Sequence, residues 1–395
     1  MSTATDTRPP RLPTAIWILG LVSLLMDVSS EMIHSLLPMF MVGSLGASMV
    51  TVGIVEGVAE STALIVKVFS GALSDYVGKR KGLAVLGYAM GALSKPLFAL
   101  ASSSGLVLGA RFIDRIGKGI RGAPRDALIA ELTPPAIRGA AFGLRQSLDT
   151  VGAFMGPLLA VVLMLAWNDN FRAVFWVAVL PGLAAVALLM VGIQEPDTAG
   201  GAKKGQPIDR HRLVQLGAAY WQVVAIGAVL ALARFSEAFL VLRAQQGGIA
   251  VALVPLVMVA MNLVYSLSAY PFGRWSDRVS HGRLLAGGVL LLIAADLCLG
   301  ASAHWAAAIA GVLLWGLHLG MTQGLLARMV ADTAPADLRG TAFGMFNLMS
   351  GVAMLLASVL AGWLWEHQGA AATFYTGAAF AALTLAGLLW RMRRG

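Results

Sequence analysis

The stretch Gly109 to Asp126 sets Arg111, Asp114, Arg115, Lys118, Arg121, Arg125 and Asp126 into an otherwise strongly apolar chain. Positions 111, 115, 118, 121/122 and 125 recur every three or four residues, so a helix gathers the cations in one stripe. Such a stripe can hold an anion or neutralise acids from neighbouring helices, and its cost in apolar surroundings points to function. Arg121, Arg125 and Asp126 are expected near the mouth of any cavity the stripe lines.

A second set is Asp27, Glu31 and His34, spaced by four and three and therefore on one helix face. Three chemistries fit it. Asp27 or Glu31 can load and release a proton in a partly dry site. Glu31 and His34 can help to hold a divalent metal. The same residues can form a static polar knot with Ser29 and Ser30.

Further along, Glu56, Glu60 and Lys67 share a face, and Arg145, Gln146 and Asp149 follow close together. Asp27, Glu31, Glu56, Glu60, Asp114, Asp126 and Asp149 nearly balance Lys67, Lys95, Arg111, Arg115, Lys118, Arg121, Arg125 and Arg145. Unpaired buried charge is poorly tolerated, so most of these are expected to be paired. The second half carries fewer charges, chiefly Arg234, Glu237, Asp296 and Arg328. Trp315, His318 and Thr322 share a face there, which suits either solute fit or plain helix packing.

The elements that must position these groups are membrane helices. The 395 residues are 58% apolar and 12% charged, with a mean hydropathy of +0.77. Soluble domains carry roughly 25% charge. Twelve segments of about 20 or more mostly apolar residues run near 14–42, 50–70, 82–102, 105–132, 139–166, 171–192, 216–244, 250–272, 284–302, 305–331, 340–365 and 370–390. Seventeen of the 29 Lys and Arg fall in the tails and alternate loops, and Arg172 and Arg243 sit beside the opposite loops. That bias puts both termini in the cytoplasm and attributes the +9 charge to membrane topology rather than nucleic acid. The single cysteine, Cys298, leaves no disulfide framework.

The polar stretch around Gln194–Arg212 reads as a linker. It divides the chain into residues 1–193, a linker 194–215 and residues 216–395. The halves repeat: Gly71–Asp75 (GALSD) matches Gly273–Asp277 (GRWSD), Arg138–Gly143 (RGAAFG) matches Arg339–Gly344 (RGTAFG), and Ser30-Glu31 matches Ser236-Glu237. A duplicated six-helix unit places a site between the halves.

Gly71, Asp75, Gly78, Lys79 and Arg80 form a loop pattern that resembles the cytoplasmic signature of the major facilitator superfamily, with a degenerate copy at Asp277 and Arg278. Arg111 with Gly117 is similar to that family's fourth-helix motif linked to proton coupling, from which Asp114 and Arg115 depart. Gly152, Gly156 and Pro157 look like its antiporter-branch motif. The resemblance implies an all-α membrane protein of two pseudo-symmetric six-helix bundles that rock about a central cavity. Asp75 ahead of Lys79 and Arg80, with the copy at Asp277 and Arg278, makes a latch that must break as the halves rock, a cytoplasmic gate, or else a plain positive-inside anchor; no cofactor is expected.

Secondary active transport is therefore expected, most simply proton-coupled efflux of an organic compound by antiport. The alternatives are efflux of a metal ion or chelate and proton-coupled uptake of an organic anion. Proton coupling is assigned to Asp27, Glu31, Arg111 and Asp149. The cavity is assigned to His34, Glu56, Glu60, Asp114, Arg115, Lys118, Arg145, Arg234, Glu237, Trp315 and His318, with no resident metal. The expected setting is a monomer in the inner membrane, with a small solute and protons as partners. No phosphate loop, nucleophile elbow or HExxH is present, which argues against an enzyme or ATP drive.

Overall fold

A computed structural model describes residues 12–77, 79–195, 215–276, 278–322, 324–335 and 338–394. All regular structure among them is helical. The first half holds α1 (Thr14–His34), α2 (Met49–Val77), α3 (Arg80–Leu100), α4 (Ser104–Leu132), α5 (Arg138–Ala166) and α6 (Phe171–Gly192). The second holds α7 (Ala218–Ala233, resumed at Ala238–Gln246), α8 (Leu256–Trp275) and α9 (His281–Ala301). It ends with α10 (Trp305–Thr322, resumed at Leu325–Thr333), α11 (Arg339–Gln368) and α12 (Ala370–Arg394). Most of the expected linker, residues 196–214, lies outside the described residues.

Eleven of these spans are long and apolar enough to cross a membrane. The exception is α4, 29 residues long, which carries the cationic stripe. Local sequence sets the ends. Ser103 Oγ accepts the Leu106 amide at the start of α4, and Asn170 Oδ1 accepts the Ala173 amide at the start of α6. Pro134 and Pro135 form the turn before α5, and Gly369 at φ 89° separates α11 from α12.

Several segments expected to be continuous are broken; the first stops at His34 and resumes as a short helical run over residues 37–44, and two later ones break inside the second half. In α7 the helix stops at Ala233 and resumes at Ala238, interrupting the regular ladder at Arg234–Glu237. The Ser236 amide donates to Ser358 Oγ on α11, and Ser236 Oγ accepts the Ala238 amide, so side chains replace the lost helical bonds. The break in α10 falls at Gly324, with φ 81°.

The packing repeats between halves. In the first, α1 contacts α5 and α6, α4 contacts α2 and α3, and α3 contacts α6; in the second, α7 contacts α11 and α12, α10 contacts α8 and α9, and α9 contacts α12. The halves meet along two seams, α2 with α11 and α5 with α8, which the same repeat relates. Small residues make the first seam: Gly53 abuts the Ser358 carbonyl, Gly57 that of Leu355, and Gly362 that of Met49. Glu366 accepts the Val50 amide at 3.0 Å where the seam reaches the α1–α2 loop side.

Two cations on that loop side are built into the helix ends. Arg172 donates to the carbonyls of Ala99 and Ala101 at the end of α3, at 2.8 and 2.7 Å. Arg243 donates to Leu299 O near the end of α9 at 2.8 Å. A cation suits the negative end of a helix dipole.

Candidate functional site

A cleft between the halves holds two adjoining chambers of about 280 and 560 Å³. They share Glu31, Glu60, Arg115, Lys118, Ala153 and Asn262. The smaller faces the α7 break and adds His34, Arg234, Glu237, Phe235 and Trp315. The larger runs toward the α2–α3 loop side, past Asp27, Lys67, Arg121, Arg125 and Asp149.

Helix periodicity on α1, α2 and α4 aims the charges at one another. Arg111 forms a two-pronged bond to Glu56, with Nη2 2.6 Å from Oε2 and Nε 3.3 Å from Oε1. One turn on, Arg115 reaches Glu60 at 3.2 Å and lies 3.9 Å from Asp114. Further down, Arg121 pairs with Asp27 at 3.6 Å and its guanidinium lies over the Tyr88 ring. Arg125 bonds Asp126 and Ser23 and stands 4.0 Å from Asp149, which Arg145 holds at 2.7 Å. Each buried cation of this ladder has an acid beside it, which is the arrangement that makes buried charge tolerable.

His34 stands at the top of the ladder. Its Nδ1 is 3.6 Å from Glu31 Oε2 and its Nε2 is 3.6 Å from Glu56 Oε2. Ser236, from the α7 break, donates to the same Glu56 oxygen at 3.2 Å. This bond crosses between the halves.

Several expected cavity residues stand elsewhere. Asp114 does not line the cleft; it is buried in a 2.7 Å pair with Lys95 of α3, which also donates to Ser30. His318 is fully buried behind the cleft, its Nδ1 2.7 Å from Gly288 O on α9. Trp315 lines the smaller chamber, so the two residues part although one helix face carries both. Glu56 and Arg111 sit one layer behind the wall, and Arg145 serves Asp149 rather than the chambers.

Of the loop signature, Lys79 is exposed ahead of α3, and Arg80 pairs with Glu131 near the end of α4. Gly71 and Asp75 lie on the α2 backbone with their side-chain surroundings outside the description; Gly78 and Asp277 lie outside the described residues. Arg278 is exposed in the turn after α8. Arg138 caps the end of α4, donating to Ala130 O and Thr133 O.

Lys118 lines both chambers, and Arg234 and Glu237 line the smaller; among the described residues none of the three has an opposite charge within 4.0 Å. Donor atoms of His34, Glu56 and Glu60 lie within 4.8 Å of one another, as a metal site requires. Both carboxylates are already held by guanidinium groups, whose charge opposes a divalent cation.

Twelve helices in two similarly packed halves around a charged cleft define a multi-pass membrane transporter. The sequence model of the Major Facilitator Superfamily matches residues 19–246 and 224–395, and the chain belongs to that family. It is 31% identical to the uncharacterized MFS-type transporter MJ1317 of Methanocaldococcus jannaschii over 358 residues, covering 89% of this chain and 88% of that one. It is 25% identical to the inner membrane transport protein YajR of Escherichia coli, covering 94% and 82%. It is 22% identical to the multidrug resistance protein MdtL of that species, covering 75% and 74%. In fold it is similar to a variant of the nucleoside transporter NupG, with a TM-score of 0.82 at 12% identity over 95% and 99% of the chains.

Proposed function

We propose that this transporter exports a small organic solute in exchange for protons, by alternating access of the cleft between residues 1–193 and 216–395. The carrying observation is the cleft itself. Its walls come from both halves and hold acids that can exchange protons, and Asp27, Glu31, Glu60 and Asp149 each have a basic group within 4.0 Å. Asp27 and Glu31 are the proton-exchanging acids, and Arg111 and Asp149 tune them through the ladder. The antiporter-type glycines of α5 and the relative named for multidrug resistance support the export direction. The α2–α3 side faces the cytoplasm, with both termini, and the protein works as a monomer in the inner membrane.

Uptake of an organic anion is the second reading, favoured by Lys118 and Arg234 facing one chamber from opposite halves. Flux into inverted vesicles under an imposed pH gradient tests both. Accumulation of a drug or organic cation with proton efflux supports export. Movement of organic anions together with protons supports the second reading, and gradient-independent flux contradicts both.

A further inference from the structure

Glu56 Oε2 is a crowded acceptor. It receives Arg111 Nη2 at 2.6 Å and Ser236 Oγ at 3.2 Å, and His34 Nε2 waits at 3.6 Å. The carboxylate is fully buried, so water does not relieve the competition. Arg111 holds its position with two prongs. The third place is contested between His34 of the first half and Ser236 of the second.

We propose that His34 takes up a proton beside the acids of α1 and that, once protonated, its Nε2 displaces Ser236 from Glu56 Oε2, unfastening the α7 break from the first half. The proposal rests on the proton-coupled reading above. Imidazole charges within the physiological range, and only the imidazolium donates from both nitrogens. Neutral His34 donates to Glu31 or to Glu56; protonated His34 holds both. The gain of the second bond draws Nε2 toward Oε2, and the hydroxyl there loses its acceptor.

The charged and titratable groups around His34 are Glu31 on its own helix, Glu56 and Glu60 on α2, and Arg111 and Arg115 on α4, with Lys118 of α4 and Arg234 and Glu237 of the α7 break lining the same chamber. Arg111 and Arg115 are committed to Glu56 and Glu60. Glu31 and Glu56 are the acids that gain from a second donor on His34. The mobile partner is well placed, because Ser236 lies at the interruption of α7, where its amide bonds a side chain, Ser358 Oγ, rather than a helical carbonyl. Its backbone is anchored to Ser358 of its own half, so loss of the Glu56 bond releases the break from the first half without unfolding α7.

The test is a distance measurement between the halves in the full chain. Spin labels go on Ser102→Cys and Ala303→Cys, both in exposed loops, with Cys298→Ala removing the native thiol. Pulsed dipolar spectroscopy in nanodiscs then follows the label separation from about pH 5 to pH 8, the range over which imidazole titrates. The separation is expected to shift with pH in the parent chain. His34→Gln and His34→Asn are expected to abolish the shift, Ser236→Ala to hold the acid distribution at every pH, and Ser236→Thr to restore the parent response. Thermal melting of each variant excludes simple unfolding. A full pH response in both His34 variants overturns the proposal while leaving proton coupling intact. A normal response in Ser236→Ala overturns the competition for Glu56. A parent chain with no pH response overturns this proposal and the proton-coupled reading together.

Discussion

Gly156 on α5 packs against Glu31 on α1 so closely that a methyl group added there would stand 2.8 Å from Glu31 Cβ and 2.9 Å from the Val28 carbonyl. Gly152 repeats the approach one turn earlier, against the Leu24 carbonyl and Asp27 Cβ. The glycine motif thus seats the acid-bearing helix rather than merely easing the packing of α5. Gly156→Ala and Gly152→Ala are expected to lower transport at least tenfold while membrane insertion persists. Gly109→Ala on α4, where an added methyl meets nothing within 4 Å, is expected to be silent in the same flux assay.

Lys95 and Asp114 form a buried pair that sequence spacing does not reveal. Removing one partner of such a pair costs about 3–5 kcal/mol, whereas replacing both with apolar residues is often neutral. Lys95→Met is therefore expected to lower the melting temperature sharply. Lys95→Met with Asp114→Leu is expected to recover most of the loss, as thermal melting in detergent will show.

Lys118 and Arg234 face one chamber from opposite halves without a close described counter-charge. Lys118→Gln and Arg234→Gln are expected to raise the apparent KM for the solute about tenfold, a change of about 1.4 kcal/mol. The melting temperature is expected to hold, because neither change orphans an ion-pair partner. A drop in stability with unchanged KM would return both residues to a packing role.

Arg172 closes the end of α3 through two carbonyls. Arg172→Met leaves both without that partner, and each lost bond to a charged donor costs about 1.5–3 kcal/mol. Reduced stability with near-normal transport per folded molecule is expected, read by melting and by flux normalised to folded protein.

The spans were legible because membrane crossing demands long apolar runs, and the repeated motifs at Arg138–Gly143 and Arg339–Gly344 exposed the duplication. The stripe on α4 was legible as charge, and its partners Glu56, Glu60 and Asp27 sit on faces that spacing identified. The break at Arg234–Glu237 was not legible. No proline or glycine marks it, and the Ser236 amide is satisfied by Ser358, more than a hundred residues away. His318 shows the complementary limit. A shared helix face is broad enough to straddle two neighbours, so Trp315 meets the chamber and His318 meets α9. The pairing of Lys95 with Asp114 likewise needed the packing of α3 on α4.

The central claim is that proton movement through the acids of α1 drives the solute. Its most direct test is pH-gradient-driven flux in inverted vesicles, comparing the parent chain with Asp27→Asn and Glu31→Gln. The account predicts that gradient-driven accumulation is lost in both variants while both still insert and fold, Asp27→Asn melting lower because Arg121 loses its paired acid. Full gradient-dependent transport by both variants would contradict it.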